Sequence, residues 1–151
     1  MRPAELCEQV LAEAAQIARA RGVTLDAATG PAVAGTPEAP LDRTTLARAA
    51  ANLVANAAEH ARSRVAVSCD VAGGHLVIEV SDDGPGFSPA ALERGCERLF
   101  TDDSSRDGGL HYGLGLHTAS EAASAHGGSV SLANGPSGGA VATIAVPLCG
   151  A

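Results

Sequence analysis

Lysine is absent from this sequence: all ten basic residues are arginines. A P-loop needs the lysine of its G-K-[ST] element, and eukaryotic-type protein kinases need a strand lysine on the phosphates. Neither nucleotide-binding plan is open to this chain. Tryptophan is also missing, and the aromatics are Phe87, Phe100 and Tyr112. No apolar run approaches the ~18 residues of a membrane-spanning helix. The opening Met1-Arg2-Pro3-Ala4-Glu5 leads into a charged helical pattern rather than a secretory signal, so a cytoplasmic location without membrane contact is expected. The cysteines, Cys7, Cys69, Cys96 and Cys149, form no C-x-x-C pair and have no histidine at zinc-ligand spacing. Reduced thiols are therefore expected. Positive charge is outweighed, and a net charge of −7 argues against a nucleic-acid surface.

What remains is a chain of 151 residues, 46% of them apolar, enough for one domain with a single core. Leu6, Val10, Ala14 and Ile17 place an amphipathic helix over 4–20, and Arg21-Gly22 ends it. Short strand-like pieces follow near Val23–Ala27 and Pro31–Ala34, then a Gly- and Pro-rich loop over 35–40. Asp42 stands at an N-cap position before a strong helix over 44–61. Val65, Val67, Cys69 and Val71 share one face of a strand, and Leu76, Ile78 and Val80 share one face of the next. Gly73-Gly74 between them reads as a hairpin turn. A short helix near 89–99, a polar unpatterned stretch over 101–113, a helix over 115–126 and strands at 129–133 and 140–146 complete the chain. The pattern predicts an α+β two-layer sandwich, with about five strands in a mixed sheet and about three helices on one face.

Three constellations carry chemistry. On the helix over 44–61, Arg48, Asn52, Asn56 and Glu59 align on the face opposite the apolar stripe. Asparagine is a poor helix-interior residue, so two of them one turn apart call for a reason. One reading is a solvated polar face; the other is a side-chain carbonyl aimed at a hard cation such as Mg²⁺. In Asp82-Asp83-Gly84-Pro85-Gly86, strand alternation puts Asp82 on the core-facing side. A carboxylate there needs hydrogen-bond donors, and the exocyclic amine of a nucleobase is a fitting one. The same string also reads as a common turn. Gly113-Leu114-Gly115-Leu116 opens a helix, where free N–H groups suit phosphates; a plain glycine hinge is the alternative.

Taken in order, these strings resemble the ATP-binding catalytic domain of bacterial sensor histidine kinases, within the superfamily that includes gyrase, heat-shock chaperone and mismatch-repair ATPases. Asn52-Leu53-Val54-Ala55-Asn56-Ala57 is similar to the asparagine box and Asp82-Asp83-Gly84-Pro85-Gly86-Phe87 to the first glycine box. Arg98-Leu99-Phe100 resembles the phenylalanine box, and Gly113-Leu114-Gly115-Leu116 the second glycine box. The resemblance implies a Bergerat-type fold and use of Mg-ATP. Asn56 would coordinate Mg²⁺, with Asn52 on the phosphate side. Asp82 would accept the adenine amine, and Gly84 and Gly86 would let the loop close over the base. Gly113 and Gly115 would offer N–H groups to the phosphates, with Leu114 and Leu116 in the same box. Residues 101–112 would form an ATP lid anchored by Phe100, with His111 and Tyr112 beside the nucleotide.

Two departures stand out. Glu59 occupies the position, three after Asn56, where many histidine kinases carry a basic residue; His60, Arg98 or Arg106 would then supply the cation. None of His60, His75, His111, His117 and His126 lies in an H-[ED]-x-x-[TN]-P-like acceptor segment. The resemblance therefore implies the catalytic half alone, a monomer serving phosphoacceptor helices of a longer parent kinase and, beyond them, a response regulator. An anti-sigma-factor-type serine kinase of the same superfamily and a nucleotide sensor that transfers nothing are the alternatives.

Overall fold

The computed structural model describes residues 1–94, 109–136 and 138–149. Helix α1 (Pro3–Arg21) begins with proline in its first turn and ends at Gly22, whose φ of 72° forms a left-handed cap. Strand β1 (Thr24–Thr29) follows, then a one-turn helix α2 (Pro31–Ala34) and the long helix α3 (Arg43–His60). Asp42 caps α3 by accepting the Thr45 N–H at 3.2 Å. Strands β2 (Arg64–Ala72) and β3 (His75–Asp82) form a hairpin through Gly73 and Gly74, both at positive φ. Helix α4 (Pro89–Arg94), helix α5 (Gly109–Ala125) and strands β4 (Ser129–Asn134) and β5 (Ala140–Pro147) complete the described chain.

The strands make one mixed sheet in the order β1-β2-β3-β5-β4, with β1 parallel to β2 and every other pair antiparallel. Alternation sets its two faces. Val65, Val67 and Cys69 of β2, Leu76, Ile78 and Val80 of β3, and Ala142, Ile144 and Val146 of β5 are buried in one core. The helices bury Leu6 and Val10 of α1, Leu46, Leu53 and Val54 of α3, and Leu116 and Ala119 of α5 in that same core. Each fully buried Leu or Val contributes about 1.5–3 kcal/mol relative to exposure. Helix α3 packs between α1 and α5. Its polar stripe is therefore flanked on both sides by a neighbouring helix. This is the predicted two-layer sandwich.

Two expectations fail. Pro31–Ala34 is helical rather than extended, because Pro31 sits at the first helical position, where its fixed φ favours a helix. Four residues carry too little periodicity to show that. Helix α5 starts at Gly109, ahead of the glycine pair expected to open it. Nothing between Leu110 and Tyr112 breaks a helix, and each interior glycine costs only about 1 kcal/mol. Cys96, Arg98, Phe100, Arg106 and residues 101–108 of the expected lid lie outside the described residues. Among the described residues no helix is long and apolar enough to cross a membrane.

Candidate functional site

The polar face of α3 opens into a cavity of about 290 Å³ lined by Arg21, Asn52, Ala55, Asn56, Glu59, Gly115 and Thr118. Three helices contribute. Helix α3 presents the two amides and the carboxylate one turn apart, α5 supplies its floor at Gly115 and Thr118, and the last turn of α1 brings in Arg21. Asn52 and Asn56 are half-buried, and neither amide is engaged in a hydrogen bond among the described residues. Their oxygens and N–H donors are thus open to the cavity. Arg48, at the far end of the stripe, does not line the cavity.

The second part of the site lies beyond the C-terminal end of α3. Gly84 follows β3 and packs so closely on the His60 carbonyl that any Cβ at position 84 would collide with it. The glycine loop and the end of α3 are thereby joined, with His60 one turn after Asn56. Asp82 is half-buried beside them. Its Oδ1 accepts the Gly84 N–H at 2.8 Å and the Ala140 N–H at 3.4 Å. Its Oδ2 accepts nothing among the described residues. Burial is the largest influence on this carboxyl and pushes it up, against the two N–H donors and the nearby His60 imidazole, which draw it down.

Asp83 has the opposite surroundings. It accepts the N–H groups of Arg62, Ser63 and Arg64 at 2.8, 3.0 and 3.2 Å and the Ser63 hydroxyl at 2.7 Å. Those bonds, led by Ser63, hold its carboxyl well below the usual carboxylate range. Asp83 thus ties the α3–β2 connection to the end of β3. On the other side of the loop, the Phe87 N–H donates to Asn134 Oδ1 at 2.7 Å, and Asn134 Nδ2 donates back to the Phe87 carbonyl at 3.0 Å. Gly86, at φ 85°, sits between these anchors.

The second glycine string is placed differently from expectation. Tyr112, Gly113 and Leu114 fall in the first two turns of α5, so the free N–H groups of the helix start belong to residues ahead of Gly113. Gly115 does reach the cavity. Leu116 is 1% exposed and belongs to the hydrophobic core. Sequence reasoning missed Arg21, Asp83 and Asn134. Arg21 looks like an ordinary C-terminal helix cation, and no spacing rule ties it to α3. Asp83 and Asn134 carry turn-forming residue types, which conceal their cross-chain partners.

The family model described as "Histidine kinase-, DNA gyrase B-, and HSP90-like ATPase" matches residues 41–150. The chain belongs to that family. Its asparagine pair, Asp82 and glycine loop lie within the matched span of this ATPase domain. Among curated relatives, the signal transduction histidine-protein kinase AfsQ2 of Streptomyces coelicolor is 41% identical over 97 residues, which cover 64% of this chain and 18% of AfsQ2. The sensor-like histidine kinase SenX3 of Mycolicibacterium smegmatis is 36% identical over 130 residues, covering 83% of this chain and 32% of SenX3. The chain thus spans a third or less of these relatives. Among solved structures, the mycobacterial sensor histidine kinase MprB superposes with a TM-score of 0.75 at 25% identity, over 93% of both chains. The nucleotide-free catalytic domain of histidine kinase ThkA shares the fold, with a TM-score of 0.78 at 22% identity over 100% of this chain and 97% of that one.

Proposed function

We propose that this domain binds Mg-ATP along the α3 groove and donates the γ-phosphoryl group to a histidine on a separate dimerisation helix pair. A response regulator would then receive the group, in the manner of two-component signalling in the cytoplasm. The observation that carries the binding reading is Asp82. Its Oδ1 is fixed by two backbone N–H groups while Oδ2 is left to accept an adenine amine. The loop that would cover the base is joined to α3 at His60, one turn from Asn56.

The donors around the cavity suit a hard cation. Asn52, Asn56 and Glu59 offer oxygens and no thiol. Among the described residues no three His, Cys, Asp or Glu side chains converge on one point. Mg²⁺ fits such a sparse site, because it takes one or two protein ligands and completes its shell with phosphate oxygens and water. Asn56 would hold it, and when bound it offsets charge on the phosphates. Asn52 would orient the phosphate chain, and Gly115 would let that chain approach α5. The domain itself then contributes positioning and charge, and the attacking imidazole comes from the partner helices. None of its five histidines lies in an acceptor-like segment, so the domain alone should bind nucleotide without labelling itself.

Calorimetry with Mg-ATP on the wild type and on Asn56→Ala and Asp82→Ala tests the pocket. Both variants should lose binding while keeping the wild-type circular dichroism spectrum; unchanged affinity in both would overturn the assignment. Transfer is tested with γ-labelled ATP and phosphoacceptor helices of a sensor kinase, where acid-labile label on a histidine is expected. Acid-stable label on a partner serine would point to the serine-kinase alternative.

A further inference from the structure

We infer that Arg21 is the cation that receives the terminal phosphates of the nucleotide, replacing a basic residue on α3. The inference rests on the Mg-ATP reading of the cavity and deepens it. Glu59 projects a negative charge into the space where polyphosphate would lie. That carboxylate opposes the polyphosphate, and a protein cation beside the Mg²⁺ would offset it. Among the described residues lining the cavity, Arg21 is the cation. Its guanidinium is engaged by neither an ion pair nor a hydrogen bond among the described residues, so its donors are available. By contrast, the exposed Arg64 is already paired with Asp26 at 2.8 Å. Guanidinium also matches phosphate oxygens with two parallel N–H donors, which a histidine lacks.

Position supports the assignment. Arg21 is held in the last turn of α1 by the Gly22 cap, whose N–H bonds the Ala18 and Arg19 carbonyls. A cation is electrostatically favoured at that helix end. A side chain at this place approaches α3 from the α1 side, opposite Gly115 and Thr118 of α5. The phosphate chain would therefore lie between Arg21 and α5, with Asn52 and Asn56 beneath it. Arg21 acts here as a specificity residue, favouring triphosphate over diphosphate and contributing nothing to the base.

The experiment compares wild type, Arg21→Gln and Glu59→Gln by calorimetry with Mg-ATP, Mg-ADP and adenosine. Arg21→Gln should weaken ATP binding by about 10- to 100-fold, the range lost with one charge-assisted hydrogen bond, with a smaller loss for ADP and none for adenosine. Glu59→Gln should tighten ATP binding. Arg21→Lys should restore part of the ATP affinity. The inference is overturned if Arg21→Gln keeps wild-type ATP affinity, or if adenosine is lost in parallel with ATP. In either event the loss of ATP binding in Asn56→Ala and Asp82→Ala would leave the pocket reading standing. A wild-type domain that binds no nucleotide would overturn both.

Discussion

Asp82 and Asp83 are chain neighbours whose surroundings drive their carboxyls in opposite directions. Burial raises Asp82, and a ring of backbone N–H groups around Asp83 lowers it. Such divergence reflects a half-buried carboxyl with two N–H donors beside one ringed by the N–H groups of the α3–β2 connection. Asp82, with its folded pKa above the unfolded one, costs stability at neutral pH and stops doing so as pH falls below the unfolded value, about 3.9. Asp83, with its folded pKa depressed, contributes stability above that value and loses it as pH drops through the folded pKa. Urea unfolding should therefore show Asp82→Asn at least as stable as wild type at pH 7, although it loses nucleotide. Asp83→Asn should be less stable at pH 7, with the gap closing below about pH 4. A wild-type-like Asp83→Asn at pH 7 would contradict the anchoring role. At this scale the sequence announced Asp82 through strand alternation. Asp83 stayed hidden because its partners, Arg62 to Arg64, are contiguous with one another but about twenty residues upstream.

Between elements, the site depends on how α3 meets its neighbours. The Asp42 N–H at its start donates to His126 Nε2 at 3.1 Å, while His126 Nδ1 donates to the Ala122 carbonyl at 2.9 Å. One imidazole thus links the entry of α3 to the exit of α5. At the other end, Gly84 rests on the His60 carbonyl, and any Cβ at Gly139 would fall on the Asp82 carbonyl. The loop is clamped from both sides by backbone. Gly84→Ala should destabilise the domain by about 1–3 kcal/mol, the usual cost of overpacking, and weaken Mg-ATP binding by displacing Asp82. Denaturant midpoints and calorimetry read the two effects, and a neutral result in both would refute the clamp. Helix α3 was legible because its cap, apolar stripe and length all agree. The start of α5 was not, since two glycines look like a boundary but helix continuation overrides them. The first glycine string was read as room for a base, whereas at Gly84 that room is filled by the protein's own backbone.

At the scale of the whole molecule, one core joins both layers, and α1 is part of it. Leu6, Cys7, Val10 and Ala14 are buried there, and β1 extends the sheet beside β2. A fragment over 41–149 would lose all of these contacts, including six buried α1 side chains. At about 1.5–3 kcal/mol each, Leu6 and Val10 alone account for about 3–6 kcal/mol, which reaches the lower end of the about 5–15 kcal/mol of an ordinary domain. The fragment should give a poorly dispersed amide NMR spectrum and no cooperative thermal transition; a dispersed spectrum would show that α1 is dispensable. The sheet order was not legible from the sequence, because the β1–β2 pairing is parallel and joins strands separated by two helices.

Helix α1 lies wholly outside the residues that the family model matches, yet it supports the core and carries Arg21 into the cavity. The border of the family model therefore runs between elements that share one core. Anyone grafting this domain onto foreign helices by cutting at residue 41 would keep Asp82 and the asparagine pair and leave behind α1 with the Arg21 wall of the cavity. The graft point that keeps the cavity lining whole lies ahead of Pro3.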